Sequence, residues 1–275
     1  MRRRTMVWCS FTLLVAVLPA AAAPQESGMV RVSYTLVNAD PTVHEPVFVR
    51  VSLKNGMDSS VKVDLGPDFY GSFEPKLVRP DGRTGSWQRP WSVMGAPGTI
   101  TVPAHGEAVQ RLLLNRWFDL DVPGRYLLAL DLLGKAPLVD GAPAAYLTKG
   151  EVEIEVGPRN PSRLEEVCEQ LEEAATGARD LDGAWEPTQT LTYVRDPIAV
   201  PHLARLLAAK GTLRAMLIRG LEGIGDPAAA DALISWLQET GDADGAARAA
   251  LTRIQAKSDD PALKQKILAA LAVRN

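Results

Sequence analysis

Asp226-Pro227-Ala228-Ala229-Ala230-Asp231-Ala232-Leu233-Ile234-Ser235-Trp236-Leu237 is the stretch that decides how the C-terminal part of this chain folds. An Asp-Pro pair opens it, and large apolar residues follow at helical spacing. Asp at a helix start accepts orphan backbone N–H groups where the dipole favours an anion. Pro fits the first helical turn, where its missing N–H costs nothing. The same pair stands at Asp196-Pro197 and Asp260-Pro261. Seven residues beyond each Asp sits Leu203, Leu233 or Ile267, and eleven beyond sits Leu207, Leu237 or Leu271. Leu221 and Ile224 match Leu251 and Ile254 in the second half of the unit. The step of about thirty residues is one helix pair. One pair cannot bury its apolar stripe alone, so successive pairs are expected to stack. Gly211, Gly225 and Gly241 are expected near helix ends.

Upstream, Pro158-Arg159-Asn160-Pro161 reads as a short linker at residues 158–161. Ser162 followed by Glu165 predicts a capping box opening the helical region, residues 162–275. Leu164, Val167, Cys168 and Leu171 form the apolar stripe of its first helix.

Before the linker, residues 29–157 change to a period of two. Val30, Val32, Tyr34 and Leu36 alternate with polar neighbours, as do Val47, Val49, Val51 and Leu53. Tyr126, Leu128, Leu130 and Leu132 repeat the pattern, and Val152, Ile154 and Val156 close it. Asn55-Gly56, Pro80-Asp81-Gly82 and Pro123-Gly124 punctuate the runs as turns. Seven or eight strands are expected here, as an antiparallel β-sandwich. The fold class expected of the whole chain is therefore β plus α in separate domains.

Residues 1–22 read as a signal peptide. Arg2, Arg3 and Arg4 precede an apolar run from Val7 to Leu18 and a small-residue stretch from Pro19 to Ala23. The run is too short to span a bilayer comfortably, so no integral membrane segment is expected after cleavage. The expected destination is periplasmic or secreted. Loss of the three Arg takes the formal net charge from −3 to −6. An acidic mature chain argues against a nucleic-acid partner.

The residues offer little for chemistry. His44, His105 and His202 lie far apart and without ligand spacing, so no metal is expected. No nucleophile elbow, P-loop or dinucleotide fingerprint occurs, so no cofactor is expected and the chain reads as non-enzymatic. Cys168, alone after the leader, reads as a buried small apolar residue. Asp119 and Asp121 lack the ligand loop of a calcium site.

Two groups of residues suggest contact surfaces instead. Arg214, Arg219, Arg248 and Arg253 fall on the second helices of the repeats, and Arg suits bidentate capture of carboxylates. Solvation of a helix face is the alternative. Tyr70, Trp87, Trp91 and Trp117 lie in turn-rich sequence, where they can stack on sugar rings, grip a peptide, or plug the ends of the sandwich.

The repeat "Asp226 … Leu237", its partner "Asp196 … Leu207" and the preceding Arg219-Gly220-Leu221-Glu222-Gly223-Ile224-Gly225 resemble the HEAT-repeat family, in particular short bacterial HEAT-like units. The resemblance covers about Leu181 to Asn275 and implies a solenoid that scaffolds or binds proteins. The segments His44–Asn55 and Phe118–Tyr126 resemble bacterial immunoglobulin-like domains. The expectation is an exported adaptor that holds a protein partner through its helical repeats and sandwich loops. A carbohydrate- or envelope-glycan-binding module and a protease inhibitor, the latter using the stretch from Arg83 to Thr99, are the alternatives.

Overall fold

The computed structural model describes residues 29–85, 87, 98–133, 138–139, 142–143, 145–209, 213–240 and 245–272. The leader, Trp91, Gly211, Gly241 and most of the 83–99 stretch lie outside the described residues. The chain is β followed by α: strands run from Met29 to Val156 and helices from Pro161 to Ala272.

The strands are β1 (Met29–Leu36), β2 (Phe48–Asn55), β3 (Val61–Asp64), β4 (Phe73–Val78), β5 (Thr84–Gly85) and β6 (Thr99–Val102). They continue as β7 (Glu107–Leu113), β8 (Gly124–Leu132), β9 (Leu138–Val139), β10 (Ala142–Pro143), β11 (Ala145–Lys149) and β12 (Glu151–Val156). Among the described residues three sheets result, in the orders β11-β1-β2-β7, β10-β9-β3-β6 and β12-β8-β4-β5. Their pairings are antiparallel except that of β1 with β11, which is parallel.

Alternation does what the period of two demands. On β12, Val152, Ile154 and Val156 are buried while Glu151, Glu153 and Glu155 face solvent. Val32, Val51, Leu77, Leu128 and Ile154, drawn from two sheets, share one buried cluster. The Tyr126 hydroxyl donates to the Val122 carbonyl at 2.8 Å and accepts from the Val122 N–H at 3.3 Å, pinning the turn before β8. One element departs from expectation. The turn-rich sequence between Tyr70 and Trp87 contains β4, which pairs with β8 along its length. Phe73 and Leu77 alternate inward there, on either side of Pro75.

Among the described residues, seven helices follow: α1 (Pro161–Gly177), α2 (Leu181–Leu191), α3 (Ala199–Ala208), α4 (Arg214–Ile224), α5 (Pro227–Thr240), α6 (Ala246–Lys257) and α7 (Pro261–Ala272). Pro227 and Pro261 open α5 and α7. The carboxylate of Asp226 accepts from the Ala229 N–H, and that of Asp260 from the Ala262 N–H, each at 2.8 Å. Gly225 ends α4 in the left-handed region at φ 68°. α1 differs from the capping-box expectation. Asn160, not Ser162, caps it, accepting from the Arg163 N–H, and Pro161 takes the first helical turn. An extended Asn just before Pro meets the backbone requirement of a cap better than a Ser already inside the helix.

α1, α3, α5 and α7 touch in succession, and so do α2, α4 and α6. A second buried cluster joins them through Leu203, Leu207, Leu233, Leu237, Leu251 and Ile267.

The β and α parts are fastened at their junction. Glu45 is 5% exposed and accepts from the Thr42 N–H at 2.9 Å and from Arg163 at 2.9 Å. Arg159 pairs through two nitrogens with Asp196, which is 1% exposed. Arg111 on β7 reaches Glu186 on α2 at 3.5 Å.

Candidate binding cleft

The second helices, α2, α4 and α6, look across at one end of the β part, leaving a cleft of about 1090 Å³ between them. Helix periodicity sets its helical wall. Leu217, Ile218 and Leu221 turn into the core, which leaves Arg219, Glu222 and Gly223 on the other side of α4. Arg253 on α6 binds Glu222 through both oxygens, at 2.6 and 2.7 Å. That pairing holds the Arg253 guanidinium above its ordinary range. Burial, with the Arg253 charge close by, holds Arg219 below its own. Lys257 lies one turn beyond Arg253 on the same face, and Trp185 of α2 is 40% exposed at the rim.

Arg195 enters from the segment between α2 and α3. Its Nη1 donates to the carbonyls of Thr192 at 3.0 Å and Gly220 at 3.4 Å. Two glycines of the Arg219–Gly225 stretch make this possible. A Cβ on Gly220 would press on Thr192 at 3.0 Å, and one on Gly223 would fall 1.6 Å from Arg195 Nη1. The helix backbone must be bare where that guanidinium lies against it.

The opposite wall carries Arg79, Arg83, Asp81, Asp119 and Asp121. Arg79 pairs with Asp121 at 2.8 Å. Arg116 and Trp117 lie deeper. The Arg116 side chain is 4% exposed, its guanidinium sits 3.9 Å above the Tyr70 ring, and its Nη2 is 3.8 Å from Asp68. Arg116 Nε and Trp117 Nε1 are buried without an acceptor among the described residues.

The residues singled out from sequence therefore separate. Arg219, Arg253 and Trp117 line the cleft together. Arg214 lies off it, exposed in the first turn of α4. Arg248 is also off it, half-buried and donating to the Leu271 carbonyl at 3.2 Å, which ties α6 to α7. Tyr70 and Trp117 are 7% and 4% exposed and meet edge to face at 5.0 Å. Burial pushes the Tyr70 hydroxyl up to about 12. Both rings are packed into the core of the β part, which is the alternative to an exposed contact role. Trp87 is half-buried against the same core, and Trp91 lies outside the described residues.

Arg195, Lys257 and Trp185 are cleft residues that sequence reading missed. Lys257 carried a signal, four residues after Arg253 on one helix face. Arg195 carried none beyond its place before Asp196.

Other titratable groups serve packing. His202 is 1% exposed, with Nδ1 2.7 Å from Glu172 and Nε2 3.1 Å from Glu165, joining α3 to α1. Arg205 grips Glu172 with two hydrogen bonds and holds its carboxyl below the usual range. Among the described residues, no cluster of His, Cys, Asp and Glu could hold a metal ion, and no helix is long and apolar enough to cross a membrane.

No protein-family model matches the chain, and no curated protein matches it. Among solved structures, Spo0M, a sporulation control protein from Bacillus subtilis, aligns at TM-score 0.26 and 15% identity. That alignment covers 52% of this chain and 55% of Spo0M, so the chain spans about half of that protein's length. A polysaccharide lyase aligns at TM-score 0.19 and 8% identity, over 86% of this chain and 34% of its own. The Bacillus subtilis protein ycdA, described as a lipoprotein, aligns at TM-score 0.21 and 13% identity, over 82% of this chain and 80% of its own. Scores this low carry no argument about fold or activity.

Proposed function

We propose that the protein is a non-enzymatic, exported adaptor that holds a partner protein in the cleft between its helices and its β part. The observation that carries this reading is the cleft itself: about 1090 Å³, open, and walled by arginines on the second helices. A groove of this form suits a protein segment, and arginine is enriched where proteins dock. The parts follow the resemblances drawn from sequence. An immunoglobulin-like sandwich is supported by the shared core of two sheets and by Tyr126, whose hydroxyl closes on Val122 in the manner of a tyrosine corner. A short HEAT-like solenoid is supported by the two files of helices and by Asp226 and Asp260 at their helix starts. Residues 1–22 support export to the periplasm or beyond.

The test is retention of a partner from envelope extract by the immobilised mature chain. One envelope protein is expected to be retained. The double variant Arg219→Glu, Arg253→Glu is expected to lose it, since like charge against a docked segment costs several kcal/mol. Equal retention by both proteins, or none by either, would overturn the reading.

A further inference from the structure

Arg195 is fixed in place before any ligand arrives. Its Nη1 is occupied by two backbone carbonyls, its guanidinium lies 5.4 Å from the Tyr193 ring, and Gly223 leaves it room. Its Nε and Nη2 have no protein partner among the described residues. A guanidinium anchored at one nitrogen with its other donors open is organised for a carboxylate, and little rotamer freedom is left to lose on binding.

The charge around it is one-sided. Among the described lining residues, Arg195, Arg219, Arg253 and Lys257 stand on the helical wall with one carboxylate, Glu222. On the β wall the charges nearly cancel: Asp121 lies 2.8 Å from Arg79, Asp81 lies 3.8 Å from Arg83 and Asp68 lies 3.8 Å from Arg116, with Asp119 beside them. The chain as a whole is acidic, with formal net charge −3, so the helical wall is a local exception.

We propose that this wall recognises the carboxylate side chains of an acidic, extended segment of the partner protein, with Arg195 as the preset contact. The inference rests on the adaptor reading above. Confinement of the net positive charge to one wall, on a chain that is acidic as a whole, selects the ligand class. A nucleic acid or an anionic membrane presents negative charge on every accessible side, which suits neither the near-neutral β wall nor the net negative charge of the chain. An extended peptide alternates its side chains between two faces. It turns carboxylates toward Arg195, Arg253 and Lys257 while offering uncharged groups and backbone N–H to the other wall. Trp185 at the rim gives an apolar neighbour a place to rest.

Fluorescence polarisation with a labelled peptide of alternating Glu and Ala, against a matched Gln and Ala peptide, tests this on the mature chain. The Glu peptide is expected to bind, to weaken as salt is raised, and to outcompete the Gln peptide. Arg195→Gln and Lys257→Gln are each expected to weaken it about tenfold, the scale of one charged contact. Gly223→Ala displaces the Arg195 guanidinium while keeping every charge, and is expected to do the same. Circular dichroism melting checks that each variant is folded, and Lys257→Gln, at the exposed end of α6, serves if a helix-packing variant is not. Equal binding of the two peptides, binding of neither, or unchanged Glu-peptide affinity in Gly223→Ala and Lys257→Gln would each overturn the inference. So would displacement by inorganic phosphate at concentrations below those of the peptide. Should the envelope partner be retained equally by wild type and by the Arg195, Gly223 and Lys257 variants, the adaptor reading stands and this one falls.

Discussion

Asp196 shows how a single side chain can bind two parts of the molecule. It begins a helical repeat, accepts from the Ile198 N–H at 3.0 Å, and pairs with Arg159 on the segment between β12 and α1. Burial pushes its carboxyl up, but Arg159 and the backbone donor outweigh that and leave it below the usual range. Asp196→Asn is expected to cost about 2 kcal/mol, because Arg159 is half exposed and solvent screens part of the pair. It should also free Arg159, so that trypsin cuts after this residue faster than in the wild type. An unchanged melt and an unchanged cleavage rate would show that the pair holds nothing. Glu172 shifts in the same direction. Above the ordinary carboxylate pKa both groups are ionised in the folded and unfolded chains, and their full contribution is present. As pH falls below that value the unfolded chain takes up protons first, and the contribution is gone once pH passes the lowered folded values. Stability measured by urea titration is therefore expected to drop on acidification through this window, and to drop less in Asp196→Asn. Cys168 belongs to the same scale: burial pushes its thiol up to about 12, which leaves it as packing in α1.

At the scale of elements, the leucine ladder and the helix ends do different work. Leu233 is fully buried in α5 and touches the core shared with neighbouring helices. Leu233→Ala is expected to cost about 3 kcal/mol by loss of transfer energy and by the cavity left behind. Gly225→Ala removes no packing but forces a side chain into the left-handed region at φ 68°, at a cost of about 1 kcal/mol. Chemical denaturation of the two variants checks the ordering, and a larger effect at Gly225 would contradict it. The periods explain why these elements were readable. Alternation marked β1, β2, β8 and β12, and Asp-Pro with spaced leucines marked α5 and α7. β4 was hidden because Phe73-Glu74-Pro75-Lys76-Leu77 carries a Pro and sits among glycines and aromatics, which reads as loop. β11 was hidden for another reason: its parallel partner β1 lies more than a hundred residues upstream, and no local pattern announces such a pairing.

For the whole molecule, the relation between the β and α parts matters most, because it shapes the cleft. Arg163 and Glu45 lie 118 positions apart in sequence and meet at 2.9 Å. With Arg159 and Asp196 they hold α2, α4 and α6 toward the end of the β part that carries Asp119 and Asp121. Local periodicity cannot encode this. It tells which side of an element is apolar, and is silent on which other element covers it or what the polar side faces. Arg219 and Arg253 were legible as surface arginines on second helices. That they share a wall with Arg195 was not, since it takes Gly223 and the carbonyl of Gly220 to seat that third guanidinium. The aromatics ran the other way. Composition could not distinguish an exposed Tyr70 or Trp117 from a packed one, and the edge-to-face contact at 5.0 Å decided it. What the sequence determined alone is the succession of strands and then helices, because backbone period and helix caps are written within a few residues of each other. The cleft and its cationic wall were decided only by tertiary structure, because those charges come from segments that only folding brings together.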